Sequence, residues 1–175
     1  MELRHVLSLT LLGWLVCAGC QKKAAAPPPT PPPQPHYYLN EAQPKLQSMK
    51  LWLGPTEINA ELATTLTEIS TGMMYRKTMA ENEGMLFIFA RPHRAGFYMR
   101  NTVLPLSCAY IDSEGTILEI HDMKPLDETA IEAASDKVLY VLETKQGWFE
   151  RNKVNVGMVL RTERGSFPDS FFPKR

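Results

Sequence analysis

Five polar residues stand in apolar surroundings where they could do chemistry: Arg76, Arg100, Asn101, Asp112 and Glu143. Glu143 closes the run Val138-Leu139-Tyr140-Val141-Leu142. Side chains alternate along a strand, so it is expected to share a face with Leu139 and Val141 and to point inward. A buried carboxylate must be neutral or paired, because an unsolvated charge is heavily penalised. Arg76 or Arg100 is the expected partner, and Asn101 could complete a hydrogen-bonded cluster. Two readings are open. The cluster is an internal clasp joining helix to sheet, or it is a pocket in which an Arg anchors a small polar or anionic ligand.

Other chemistries find less support. Gly-x-Ser-x-Gly, His-Glu-x-x-His and phosphate-cradling glycine loops are absent. His93, between Pro92 and Arg94, reads as a solvated turn residue, and His121 has no catalytic spacing. An enzyme of unspecified reaction, using Glu143 with Arg76 or Arg100, is therefore the alternative to a binding or structural module. Met73, Met74, Met85, Met99 and Met123 could offer soft ligands to Cu(I) together with His93 or His121. Met73 falls on an apolar helix face and Met85 in a buried strand, so core packing explains them and no metal is expected. No cofactor motif is present. Lys+Arg and Asp+Glu both number 19, which leaves no basic excess to neutralise a nucleic-acid backbone.

The elements that position these residues lie in one domain over residues 46–172. Lys50–Leu53 and Glu57–Leu62 flank Gly54-Pro55 and predict a strand pair with a tight turn. Thr65–Tyr75 predicts a helix: Thr65 and Glu68 have capping-box spacing, and Leu62, Leu66, Ile69 and Met73 fall on one face. Gly72 on that face implies close backbone packing. Met85–Phe89 has the continuous apolar character of a buried strand. Phe97–Thr102, Leu106–Asp112, Ile117–His121, Val138–Thr144 and Met158–Leu160 read as further strands, with a turn at Asp112–Gly115 and a helical turn at Gly147–Asn152. The expected fold is mainly β: a compact antiparallel sandwich or barrel-like domain with one packed α-helix.

Gly72-Met73-Met74-Tyr75-Arg76, Glu83-Gly84-Met85-Leu86-Phe87, Phe97-Tyr98-Met99-Arg100-Asn101-Thr102, Pro105-Leu106, Tyr140-Val141-Leu142-Glu143 and Gly147 follow one another in order. Their order and spacing over roughly Trp52 to Arg161 resemble the domain-of-unknown-function 192 family. That resemblance implies a mainly-β domain, often exported, and brings no established activity. The chain departs from the family pattern twice. Tyr98 stands where Trp is common, and Ser107 stands where Asp usually follows the Pro-Leu pair, so chemistry that relatives owe to that Asp is lost.

Residues 1–19 read as an export signal: Arg4 and His5, then the largely apolar Val6–Val16, then small residues. The apolar run is shorter than the roughly 20 residues of a membrane-spanning helix. Cys17-Ala18-Gly19-Cys20 resembles a lipobox, which implies a diacylglycerol on Cys20 and cleavage before it, although Cys17 stands where Leu is usual. A redox or metal pair of Cys17 and Cys20 does not fit a site that terminates a signal core. Residues 20–45 then form a linker, in which seven of the 14 prolines lie between Pro27 and Pro35. Such a run extends as polyproline II, and a dozen residues at roughly 3.1 Å each span about 40 Å. Cys108 remains as the one thiol of the mature domain, read as a small buried hydrophobe. The expected protein is an envelope lipoprotein, anchored through Cys20 to the periplasmic face of the outer membrane, with a small molecule or an envelope protein as its partner and no nucleic acid. Fatty-acid labelling in vivo is expected to mark the mature protein. Cys20→Ser should abolish the label and leave the leader attached, and a label that survives this change contradicts the anchor.

Overall fold

The computed structural model describes residues 36–173, so the leader, Cys20 and the proline run lie outside the described residues. Gly54, with φ of 61°, turns the chain between β1 (Ser48–Leu53) and β2 (Thr56–Ala63), an antiparallel hairpin that closes with Leu53 opposite Thr56. α1 (Leu66–Thr71) starts at the expected capping box: the Thr65 side chain accepts from the Glu68 N–H, and the Glu68 carboxylate accepts from the Thr65 N–H at 2.8 Å. The helix ends well short of Tyr75. Gly72 takes φ of 48° and caps it, and a Cβ there would lie 3.2 Å from the Phe87 ring. Gly72 thus stops the helix and lets its end approach the sheet.

The chain continues through β3 (Glu83–His93), β4 (Gly96–Phe97), β5 (Leu106–Ile111), β6 (Ile117–Met123), β7 (Ile131–Glu132), β8 (Val138–Lys145), α2 (Trp148–Arg151), β9 (Leu160–Thr162), β10 (Gly165–Ser166) and α3 (Phe167–Phe171). Eight strands form one sheet in the order β10-β9-β1-β2-β3-β8-β5-β6, and β4 and β7 form a separate ribbon. The fold is mainly β, as expected. The large sheet is mixed, however, and does not close into a barrel. β2 and β3 pair in parallel, since the connection between them crosses over through α1, whereas the other pairings among the described residues are antiparallel. Among the described residues there are three short helices: α1, α2 at the helical turn expected over Gly147–Asn152, and α3.

Alternation divides the core into two layers. Leu51, Leu53, Ile58, Leu86, Ala109, Tyr140 and Leu142 belong to one cluster, with Trp148 of α2 and Phe167 of α3. Met85, Phe87, Cys108, Tyr110 and Val141 belong to the other, with Met73 and Met99. Each large apolar side chain so buried contributes roughly 1.5–3 kcal/mol relative to exposure. The pairing of β3 with β8 is irregular between Ile88 and His93. Beyond that irregularity Leu139 joins the first cluster and Val138 the second. Leu139 thus packs in a different cluster from Val141.

Three further differences are local. Only Phe97 of the expected Phe97–Thr102 strand is β, in the two-residue β4, because residues 98–102 turn back toward the end of α1. The strand expected at Met158–Leu160 begins at Leu160, with Val159 making a lone bridge to Thr116. α3 was not foreseen, although Ser166 caps it by accepting from the Asp169 N–H and Pro168 stands in its first turn.

Candidate functional site

Glu143 lies on β8, flanked by Met85 of β3 and Cys108 of β5 in register. Both neighbours are apolar, and both strands are fully covered at this point. Glu143 is 4% exposed, and its Oε2 is buried without a hydrogen-bond partner. Burial pushes its carboxyl up to about 8, because low-polarity surroundings penalise the charged form. Near neutral pH the side chain is thus mainly a carboxylic acid, and among the described residues no group is positioned to hydrogen-bond its Oε2.

That acid lines a cavity of about 220 Å³. Phe87, Phe89 and His93 of β3 form one wall, with Ala95, Gly96 and Phe97 beside them. Thr71 to Met74, at and beyond the end of α1, form the opposite side, and Tyr98 and Thr102 contribute from the 98–102 turns. Phe87 and Phe97 meet edge to face with centroids 4.9 Å apart, a favourable aromatic geometry. His93 is not the solvated turn residue expected from its neighbours. It ends β3, lines the cavity and packs against the Phe89 ring at 4.5 Å. No Lys or Arg is among the lining residues.

The two arginines expected beside Glu143 are held elsewhere. Arg76 binds Glu61 of β2 through two nitrogens, at 2.6 and 2.9 Å, and donates to the Pro44 carbonyl at 3.3 Å. Glu61 also accepts from the Leu46 N–H at 2.7 Å. The two charged side chains are only 12% and 15% exposed, so removing one would strand the other in a dry place. This is a helix-to-sheet clasp of the kind the sequence suggested, with Glu61 in the place expected for Glu143. Arg100 forms two bonds to Glu128, at 2.9 and 2.6 Å, and its guanidinium lies over the Tyr38 and Tyr98 rings at 5.8 and 5.6 Å. It braces the outside of the cavity through Tyr98 without lining it.

Asn101 acts at one remove. It has φ of 53°, and Tyr75 has φ of 63°, a left-handed region that a bulky side chain seldom enters. Each locks the other: the Asn101 amide donates to the Tyr75 hydroxyl at 2.7 Å, and the Tyr75 N–H donates to the Asn101 carbonyl at 2.8 Å. These bonds tie Met73-Met74 to Tyr98 and Thr102, the segments that form two sides of the cavity. The start of the described chain also packs here. Leu39 N–H donates to the Thr71 hydroxyl at 3.0 Å, and the Gln43 amide donates to the Gly72 carbonyl at 2.8 Å. Asp112 serves its turn, accepting from the Glu114 and Thr116 N–H groups at 2.9 and 2.8 Å.

Of the four expected ligand-contacting residues, the structure places only Glu143 in the cavity lining. The aromatic and methionine residues that complete the lining read in the sequence only as core. Gly72 carried the one clue, a backbone approach with no Cβ. Ser107, found where Asp is usual in the family pattern, is buried, donates to Asp122 across the β5–β6 pair and accepts from the Gly147 N–H at 2.9 Å.

Comparison with known proteins agrees with this architecture. The family model DUF192, described as Uncharacterized ACR, matches residues 50–162. A protein from Sinorhizobium meliloti described as a proposed transcription regulator is similar at 32% identity and TM-score 0.65, over 69% of this chain and 98% of that one. A protein of unknown function from Novosphingobium aromaticivorans is similar at 32% identity and TM-score 0.62, over 66% of this chain and 86% of that one. No curated protein matches the chain.

The buried acid makes stability depend on pH. The folded carboxyl keeps its proton up to about 8, whereas an ordinary one loses it near 4.5. Between those values the folded state holds a proton that the unfolded state has released, so stability falls as pH rises, by up to about 1.4 kcal/mol per pH unit. Urea unfolding of Glu143→Gln should show that slope removed and a variant more stable than the native chain above about pH 8. An unchanged slope would show that Glu143 is ionised in the folded protein.

Proposed function

The chain belongs to the DUF192 family, and from that premise we propose that it is an envelope-anchored binding domain whose cavity holds a small molecule at Glu143. The observation that carries this reading is a carboxyl group that lines a cavity of about 220 Å³ and whose Oε2 is buried with no hydrogen-bond partner among the described residues. An unpaired polar atom in a dry site is costly unless something completes it. A concave lining in which aromatic and methionine side chains stand beside a few polar groups is the usual composition of a small-molecule site. Of the polar or anionic ligands that the sequence allowed, the lining favours one without negative charge, since its acid has no Arg or Lys beside it.

Placement at the membrane rests on the leader, the lipobox-like Cys17-Ala18-Gly19-Cys20 and the proline run, which together suit a lipid on Cys20 and a stiff spacer ahead of the domain. The periplasmic face of the outer membrane is the proposed location. The regulator description of the Sinorhizobium meliloti protein is not carried over, because the balanced charge of this chain offers no basic excess for DNA. Catalysis is the second reading, favoured by one observation. A carboxylic acid pushed up to about 8 is poised for proton transfer near neutrality. Arg76 and Arg100, bound to Glu61 and Glu128, do not assist it.

Native mass spectrometry of the full-length protein, extracted gently from membranes, tests the binding reading. A noncovalent adduct of small mass is expected, and Glu143→Gln should lose it. A native protein with no adduct, or a variant that retains it in full, contradicts a ligand seated at Glu143. Turnover of the adduct by the native protein would favour catalysis.

A further inference from the structure

We propose that the ligand presents an organic ammonium group, seated at the Glu143 carboxylate with its hydrocarbon body among Phe87, Phe97 and Met73. This rests on the reading of the cavity as a binding site and adds the chemical class. The lining holds one carboxyl group, no Lys or Arg, and His93 as its one group able to become a cation, so a ligand that brings its own positive charge suits the acid. The two arginines expected beside Glu143 are engaged elsewhere, Arg76 with Glu61 and Arg100 with Glu128. An anion would meet an acid with no compensating cation. A hydroxyl ligand would offer one donor, whereas an ammonium offers two or three donors and a charge, and charge-assisted hydrogen bonds are the stronger kind.

The walls suit the same class. Phe87, Phe89, Phe97 and Tyr98 all line the cavity, and aromatic faces attract cations once water is excluded. The thioethers of Met73 and Met74 add polarisable surface. The space, about 220 Å³, exceeds the roughly 150 Å³ that holds a benzene ring in a dry protein interior. A ring or short chain bearing one amine therefore fits.

Proton balance gives the inference a signature. The empty site carries its proton on Glu143, and the ammonium arrives already charged. Forming the ion pair releases that proton to solvent, so apparent affinity should rise about tenfold per pH unit below about 8. A neutral ligand that reads the acid form would instead bind more weakly as pH passes that value. Cys108 on β5 stands opposite Glu143, and His93 on β3 and Tyr98 are the other titratable side chains of the lining. Burial first, and then the Glu143 charge, pushes the Cys108 thiol up to about 12, beyond the window. His93 is separated by substitution.

The experiment is calorimetric titration of the full-length protein in lipid nanodiscs with benzylamine, benzyl alcohol and benzoate, which share a ring and differ in charge. Runs span about pH 6 to about pH 8. Benzylamine is expected to bind with the rising slope, and His93→Asn should keep it. Glu143→Gln should weaken benzylamine at least tenfold and flatten the slope. Phe97→Leu, which leaves the acid in place, should weaken benzylamine by about two- to fivefold and benzyl alcohol less. Benzyl alcohol or benzoate binding as tightly as benzylamine, without the rising slope, would overturn the ammonium assignment while leaving the cavity as a binding site. If none of the three binds the native protein, the cavity reading falls as well.

Discussion

A carboxyl group sits at the centre of a sheet with no charge to balance it, and the rest of the site follows from that constraint. β8 lies between β3 and β5, so Glu143 meets Met85 on one side and Cys108 on the other. Neither neighbour can donate an adequate hydrogen bond to a carboxylate. The group answers by holding its proton, and its Oε2 remains without a partner. Such an arrangement opposes stability. An acid in this position makes sense where the open side of the group faces space that another molecule can enter. The cavity supplies that space.

The architecture keeps the cavity open. The parallel crossover from β2 to β3 carries α1 onto the sheet beside Phe87, and Gly72 ends the helix where its backbone meets that ring. Arg76 and Glu61 fasten the segment after α1 back to β2. Tyr75 and Asn101, both left-handed, tie that segment to the 98–102 turns. The residues that line the cavity therefore come from parts of the chain with independent anchors, so they do not have to collapse onto one another to be stable. Strained backbone held by reciprocal hydrogen bonds is a common way of fixing the rim of a site.

The sequence made the strands legible because short apolar runs are bounded by turn residues. The Gly54-Pro55 hairpin, the Met85–Phe89 run and the Val138–Thr144 run all occur where the pattern predicts them. The inward orientation of Glu143 was also legible from the apolar run of β8 that it closes. Partners were not legible. Arg76 finds Glu61 through the parallel pairing of β2 with β3, a long-range contact that spacing alone does not reveal. The lining was hidden for a different reason: Phe87, Phe97 and Met73 look the same in sequence whether they fill a core or wall a cavity. The α1 boundary was missed because Gly72 was read as packing within the helix, when its positive φ ends it.

The protonation of Glu143 is the claim on which this account stands. Difference infrared spectroscopy of the ligand-free full-length protein against Glu143→Gln, from about pH 5 to about pH 9, reads it at the group itself. The account predicts a carboxylic-acid carbonyl band that persists through neutrality and gives way to carboxylate at about 8. A band belonging to carboxylate already at the acid end of that range would contradict it.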